Sequence, residues 1–161
     1  MKKLLFLLFI GLFLLIGCGS NESEEFAKKF NEKATNEDIA KLNADDYGEI
    51  VEEENFIWRE LFESDRYTID EYFDSKKDVS GYGINIYPSE PFENQEGEGY
   101  RASIAIASTL GLNSKDFANN FKTALRKDEH SYSDSGYDIN FIYIGWDSSV
   151  DTSIIIRFEK Q

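Results

Sequence analysis

The sequence predicts an α+β fold: an antiparallel sheet of about six to seven strands, an N-terminal helix and a second helix before the last two strands, with both helices packed on one sheet face. In two segments the apolar residues recur every three to four positions, which is typical of amphipathic helices. Elsewhere they alternate with polar residues, which is typical of strands. Short turn-forming stretches separate most of these strands, and short connections favour antiparallel pairing.

The first helix is predicted from an apolar stripe with helical spacing, formed by Phe26, Ala27, Phe30 and Ala34. Asn21 or Ser23 is suited to cap its start. A second capping signal at residues 35–38 precedes Ile39 and Leu42. One bent helix and two short helices fit this pattern equally well.

From residue 47 the apolar period changes to two, so we expect strands at 49–51, 56–62, 67–73, 81–87 and 101–107. The segment 88–99 connects the last two of these strands. It is too long for a usual hairpin loop and contains both prolines of the chain, which cannot continue a sheet. We therefore expect a long loop there, which is either functional or merely mobile.

The second helix has the clearest signals. Asn113 is a suitable N-cap with Asp116 three residues later, and Leu112 and Phe117 hold the positions of a hydrophobic staple. The stripe that follows comprises Phe117, Phe121, Ala124 and Leu125. The last two strands are predicted at 138–146 and 150–159, joined by a tight turn at 147–149.

The N-terminus has the features of a leader. Lys2 and Lys3 precede thirteen residues, 4–16, without a polar side chain. That order of charge and short apolar run is typical of a secretory signal peptide. A membrane-spanning helix needs about 20 apolar residues, so an uncleaved anchor is the less favoured alternative.

Residues Leu15, Ile16, Gly17 and Cys18 resemble the lipobox of bacterial lipoproteins, in which an aliphatic, a tolerant and a small residue precede an obligatory cysteine. The resemblance implies removal of residues 1–17 as a signal peptide and attachment of diacylglycerol to Cys18 through a thioether. It also implies a lipid anchor in the cell membrane, on its extracytoplasmic face. Residues 18–23 would then be the lipidated cysteine with a short flexible tether, and 24–161 a single extracytoplasmic domain.

The order of a helix followed by an antiparallel meander is similar to that of cystatin-like domains in small lipoproteins of Gram-positive bacteria. This similarity concerns element order alone and implies a fold, not an activity.

The charge is strongly negative, with 31 acidic and 17 basic residues and a net charge of −14. Because nucleic acids attract basic proteins, this charge excludes nucleic acid as an expected partner. Loss of Lys2 and Lys3 with the leader makes the net charge −16. The excess favours solubility, and its functional interpretations are a basic protein partner or loosely bound cations.

No motif for catalysis, cofactor binding or metal binding is recognisable. The single histidine, His130, is predicted in a polar loop after the second helix, and the single cysteine is assigned to the lipid. Paired carboxylates cannot be selected among 31 acidic residues. The sequence thus assigns no catalytic, cofactor or metal residue, and leaves as binding candidates the aromatic residues Tyr82, Tyr87, Tyr143 and Trp146.

We therefore expect a membrane-anchored extracytoplasmic lipoprotein whose domain is a non-enzymatic binding or protein-interaction module. Its partners would be the membrane, through the lipid anchor, and an envelope protein. The alternatives are an enzyme of the cell envelope with carboxylate catalysis and a binder of a small ligand or cation. An enzyme would place two carboxylates in a concave pocket, whereas an interaction module would show an exposed apolar patch or an unpaired sheet edge.

The lipobox leads to a direct prediction for Cys18→Ser. A diacylglyceryl group supplies two acyl chains, which hold a protein stably on a bilayer, and serine cannot receive it. We expect the variant to leave the membrane fraction or to remain unprocessed, as measured by fractionation and intact mass. A processed variant that still partitions into detergent would contradict the lipoprotein interpretation.

Overall fold

Seven antiparallel strands form one sheet, and three helices of the described chain pack on one of its faces. The computed structural model describes residues 18–144 and 152–161. The helices are α1 (Cys18–Glu37), α2 (Gly97–Thr109) and α3 (Ser114–Ala124). The strands are β1 (Val51–Glu53), β2 (Phe56–Glu63), β3 (Tyr67–Phe73), β4 (Val79–Ile86), β5 (Glu129–Asp134), β6 (Tyr137–Ile144) and β7 (Ser153–Lys160).

The spatial order of the strands is β1-β2-β3-β4-β7-β6-β5, and all neighbours are antiparallel. The first four strands form a meander. The chain then crosses the sheet through α2 and α3 and begins a second meander at the far edge. The last strand, β7, inserts between β4 and β6 and joins the two halves. The predicted α+β class with helices on one face of an antiparallel sheet is confirmed.

The core lies between the helices and this sheet face and is rich in aromatic rings. The Phe117 ring of α3 lies 5.6 Å from that of Phe141 in β6 and 5.8 Å from that of Phe158 in β7, between ring centroids. On the other side of the core, Phe26 of α1 stacks on Tyr82 of β4 at 3.7 Å. These five side chains are all buried, and they join two helices to three strands.

One carboxylate is fully buried in this core. Glu71 of β3 has no exposed surface, and its two oxygens accept hydrogen bonds from different elements. Ser23 of α1 donates to Oε1 over 2.7 Å, and the Arg59 Nε of β2 donates to Oε2 over 2.8 Å. The Arg59 guanidinium also lies over the rings of Tyr47 and Phe73. Burial raises the pKa of Glu71, while its contacts with Ser23 and Arg59 oppose that rise.

The predicted strand at 101–107 is wrong, because these residues lie in helix α2. Alternating Ala102, Ile104 and Ile106 imitate a strand in sequence, but the residues between them, Ser103 and Ala105, are also small and are buried as well. Small side chains let α2 approach α1 and β4 closely, and alanine favours a helix. The buried residues of α2 are Gly99, Ala102, Ser103, Ala105, Ile106 and Ala107.

Two predictions near the N-terminus also need correction. The predicted flexible tether, residues 18–23, belongs to α1, which runs without interruption to Glu37. Of the two alternatives for this region, one helix rather than two short ones is formed: it ends at Glu37, Asp38 has a left-handed φ of 53°, and a 3₁₀ turn at Ala44–Asp46 follows, capped by Asn43. The strand expected at 49–51 begins instead at Val51.

The region after α3 contains a strand that the sequence did not predict. His130 was expected in a polar loop, but it lies in β5, so three strands rather than two follow the last helix. The residues of β5 are mostly polar because the strand lies at the sheet edge, and such a composition is also typical of a loop. The predicted long loop at 88–99 is shortened by a 3₁₀ turn at Phe92–Asn94 and by the start of α2. The turn predicted at 147–149 lies outside the described residues.

We predict that Glu71→Ala lowers the free energy of unfolding by about 3 kcal/mol or more, because the change leaves the half-buried Arg59 without its carboxylate. Urea unfolding of the mature chain measures this loss. Glu25→Ala is the matched control, since the Glu25–Lys29 pair on α1 is mostly exposed and its loss should not be measurable. Equal losses in the two variants would contradict the structural importance of Glu71.

Candidate functional site

The face of the sheet opposite the helices is the candidate functional surface, here called the open face. Within the described residues no helix packs on it. Its centre is formed by side chains of adjacent strands that are half-buried among one another: Asp70 and Tyr72 of β3, Arg157 of β7, and Asn140 and Ile142 of β6. Seven strands thus present one continuous, uncovered surface of mixed polar and apolar character.

Arg157 occupies the middle of the open face. It is paired across the ladder with Gly83 on one side and Asn140 on the other. Its guanidinium lies over two rings, 5.4 Å from the centroid of Phe56 and 5.8 Å from that of Tyr72. Its Nε is buried and has no hydrogen-bond partner within the described part of the chain. Two aromatic faces thus contact Arg157 and attract its charge through their quadrupoles, and the Asp70 carboxylate interacts with it as well.

Gly83 makes this arrangement possible. A Cβ atom at position 83 would lie 2.7 Å from the Tyr72 hydroxyl oxygen and 2.9 Å from a ring carbon. Only glycine therefore lets the Tyr72 ring lie across β4 toward Arg157. The predicted strand at 81–87 contained two glycines, and the sequence offered no reason for the one at position 83 until its cross-strand neighbours were known.

Two carboxylates are direct cross-strand neighbours on the open face, Glu60 of β2 and Asp70 of β3. Burial, and then the charge of Glu60, raise the pKa of Asp70 to about 6, although Arg157 opposes the rise. Burial and the nearby Glu63 raise the pKa of Glu60 as well. The pKa values of both carboxyl groups are thus raised by burial and by a neighbouring carboxylate.

An apolar corner adjoins this centre at β1 and the start of β2. Phe56 is 49% exposed, Ile50 44% and Val51 37%, and these are the exposed large apolar residues of the described chain. Val51 pairs with Trp58 and Glu53 with Phe56, so Val51, Phe56 and Trp58 are on the same sheet face. The corner therefore extends the open face with apolar surface.

Two cavities adjoin Arg157 and Glu159 on this side of the sheet. One, of about 310 Å³, is bordered further by Asn55, Phe56 and Tyr72. The other, of about 250 Å³, is bordered further by Glu129, Ser131, Asn140 and Ile142. A third cavity, of about 420 Å³, lies elsewhere, beside α1 and the end of α2. Glu60 and Asp70 border none of these three cavities.

The residues predicted from the lipobox lie at the boundary of the structure. Leu15, Ile16 and Gly17 are outside the described residues, and Cys18 is the first residue of α1.

His130 is half-buried in β5, where its Nε2 is hydrogen-bonded to Asn120 Oδ1 at 2.7 Å. Burial, with the charge of Lys127, lowers the pKa of His130. Its role in the described structure is to join β5 to α3.

The four aromatic binding candidates do not form one surface. Tyr82 is buried in the core against Phe26. The Tyr143 hydroxyl donates to Glu93 Oε1 over 2.8 Å, on the helix side of the sheet. Tyr87 follows β4, and Trp146 lies outside the described residues. Tyr82 and Tyr143 therefore lie on the helix side of the sheet and not on the open face.

Sequence reasoning missed the residues that do form the open face, namely Phe56, Asp70, Tyr72 and Arg157. The predicted strands contained them, and Asp70 and Arg157 interrupt apolar alternation as charged residues. That signal shows only that such residues lie on the outer side of their strands. It does not show which strands are neighbours. The contacts of Arg157 with Phe56 and Tyr72 form only because β7 pairs with β4.

The described residues contain no group of three or more potential metal ligands, and none of their helices is long and apolar enough to cross a membrane. No protein family, curated protein or solved structure matches the chain.

We predict that Asp70→Asn stabilises the protein at pH 7 and leaves it nearly unchanged at pH 4. The folded chain raises the Asp70 pKa to about 6, from an ordinary value near 3.8. Stability should therefore fall as the pH rises from about 4 to 6, where the unfolded chain has already lost the proton. After allowance for partial exposure, the gain at pH 7 should be ~1–2 kcal/mol.

Urea unfolding of both proteins between pH 4 and pH 7.5 measures this difference. Asp45→Asn, at an exposed position in the 3₁₀ turn, is the control and should not alter the pH profile. A stabilisation by Asp70→Asn that is the same at every pH would show that Asp70 is not the titrating group.

Proposed function

We propose that the chain is a lipoprotein anchored on the extracytoplasmic face of the cell membrane, and that its domain is a non-enzymatic module which binds a protein partner. The open face would be its binding surface, and the partner would present a basic surface. The observation that carries this proposal is the combination found there: an uncovered sheet face with an exposed apolar corner and an excess of carboxylates. Such uncovered apolar surface is typical of interaction sites.

The chemistry of the partner follows from charge. Arg157 is the one basic side chain that the described strands place on the open face, and the aromatic rings of Phe56 and Tyr72 already cover it. The acidic residues that the strands place on that face are Glu53, Glu60, Glu63, Asp70, Glu129, Asp138 and Glu159. Complementary charge accelerates association and selects partners, so a partner with lysine and arginine side chains is favoured.

The structure of α1 supports a position close to the membrane. Ser23, which is bonded to Glu71, is only the fifth residue after Cys18, so a helical rise of five residues separates the proposed lipid attachment from the core. At 1.5 Å per residue this distance is about 8 Å. Glu22 is additionally paired with Lys160 at the end of β7. A domain held so closely would reach partners at or near the bilayer surface.

A hydrolase with carboxylate catalysis is the second candidate, favoured by the proximity of Glu60 and Asp70. One observation makes it the weaker one: neither carboxylate borders any of the three cavities described above, so the pair has no pocket there in which to hold a substrate.

Site-specific photo-cross-linking in the native cells tests the proposal. A benzoylphenylalanine residue replaces Trp58 on the open face, or Lys122 on the outer side of α3 as the matched control. We expect one dominant adduct with a basic protein from position 58 and none from position 122. Cys18→Ser should abolish the adduct, since the variant is no longer held beside its partner.

Two outcomes would overturn the proposal. One is the absence of any adduct that is specific to position 58. The other is an adduct of unchanged yield in the Cys18→Ser variant, which would separate binding from the anchor. If the purified protein also hydrolysed envelope glycans, and Asp70→Asn removed that activity, the hydrolase would replace the binding module.

A further inference from the structure

Strand β5 forms one edge of the sheet, and the structure shows which of its backbone groups face outward. The Tyr143 N–H donates to the Asp128 carbonyl over 2.9 Å, and the register continues with Glu129 opposite Ile142. In an antiparallel ladder, hydrogen-bonded residues alternate with residues whose backbone points away. Asp128, His130, Tyr132 and Asp134 therefore bond to β6. The N–H and C=O groups of Glu129, Ser131 and Ser133 point outward.

The hairpin turn between β5 and β6 agrees with this assignment. Ser135 and Gly136 have φ angles of 51° and 82°, as in a two-residue type I′ turn. The residues that flank such a turn, here Asp134 and Tyr137, form a hydrogen-bonded pair. The hydrogen bond at one end of β5 and the hairpin turn at the other therefore indicate independently which residues of β5 bond to β6.

The outward backbone groups of β5 are accessible. Glu129, Ser131 and Ser133 are exposed, whereas His130, Tyr132 and Asp134 are half-buried against α3. Within the described residues no backbone bond outside the sheet and helices, and no side chain, reaches the N–H or C=O of these three residues. Three donors and three acceptors are thus available along one edge.

The two edges of the sheet differ in how they are protected. Edge strand β1 has only three residues and is flanked by Glu49 and Glu54, so it offers little for pairing. Strand β5 has six residues in an unbroken register and contains neither proline nor lysine. Natural sheets use short strands, lysine, proline or bulges to prevent pairing at an edge, and β5 has none of these features.

From these observations we infer that β5 is the docking edge of the module, where an extended, lysine- or arginine-rich segment of the partner adds as an eighth strand. The inference rests on the proposed function and defines how that partner binds. Backbone hydrogen bonds to Glu129, Ser131 and Ser133 would supply affinity. Alternate side chains of the added strand would reach Glu129 and the 250 Å³ cavity beside Arg157 and Glu159.

Charge distinguishes this occupant from a second copy of the chain. Antiparallel pairing of two β5 strands about a two-fold axis at Ser131 would pair Glu129 of one copy with Ser133 of the other, and would place Asp134 opposite Asp128. Like charges directly opposite are destabilising, and each copy has a large negative charge. The same carboxylates favour a basic strand.

Hydrogen exchange at single-residue resolution tests the inference on the lipidated chain in detergent micelles. In the free protein, the amides of Glu129, Ser131 and Ser133 should exchange fast and those of His130 and Tyr132 slowly. The probes are seven-residue peptides in which threonine alternates with lysine, serine or glutamate. The lysine peptide should slow exchange at the three outward amides at least tenfold, and the glutamate peptide should have no effect.

Ser131→Pro provides the decisive variant because it removes an outward N–H without removing a bond to β6. We expect it to weaken binding of the lysine peptide at least tenfold, while Ser131→Thr, which keeps the N–H, stays within twofold of the parent. Glu129→Gln covers the case in which the proline variant is unfolded. It keeps the backbone donor and should weaken binding of the lysine peptide about threefold.

Three results would overturn the inference: slow exchange of the outward amides in the free chain, no protection by any peptide, or equal protection by the lysine and glutamate peptides. These results leave the proposed function intact if the cross-link at position 58 persists in Ser131→Pro. Loss of the cross-link in the parent chain overturns the proposed function instead.

Discussion

The buried carboxylate of Glu71 is the constraint on which the arrangement of this protein depends. Ser23 and Arg59 occupy both of its oxygens, so α1, β2 and β3 must take fixed positions around one point. A carboxylate inside an aromatic core is tolerated only with such partners, because an unpaired buried charge is strongly destabilising. The constraint also joins the first turns of α1 to the sheet. The N-terminus that would carry the lipid is thus part of the folded body, not a loose extension.

The helices pack on the face that contains Glu71, so the polar side chains of the other face must find their partners within that face. The two faces therefore hold their charged groups in different ways. Asp70, Arg157 and Tyr72 are held at intermediate burial by neighbouring rings and by the space over Gly83. Glu71 is fully enclosed with two close hydrogen-bond partners, whereas Asp70 has a pKa of about 6 and partial contact with water. The first arrangement stabilises a unique core, and the second keeps charged groups available at a surface.

The sequence was sufficient for those features that local periodicity determines. Asn113 caps α3 through its side chain as expected, and the alternating Ile154, Ile156 and Phe158 of β7 are buried. It was insufficient where packing overrides local pattern. Ala102, Ile104 and Ile106 alternate as in a strand, but contact with α1 makes α2 helical. β5 is polar because it lies at an edge, and a polar edge strand has the composition of a loop. The open face could not be predicted at all, because it is assembled by β7, whose partner β4 is about 70 residues away in the chain.

The topology gives the two halves of the sheet different roles in the proposed binding. Strands β1 to β4 hold Glu71 and the apolar corner, and β5 to β7 present the free edge and Arg157. A strand added to β5 would be separated from β7 and Arg157 by two strands, β5 and β6, and its side chains on that side would continue the open face. Edge and face therefore form one surface, on which backbone pairing is unspecific and side-chain charge is selective. This combination would suit the proposed membrane-anchored module, because a partner that approached along the membrane would need only one extended segment to reach the edge.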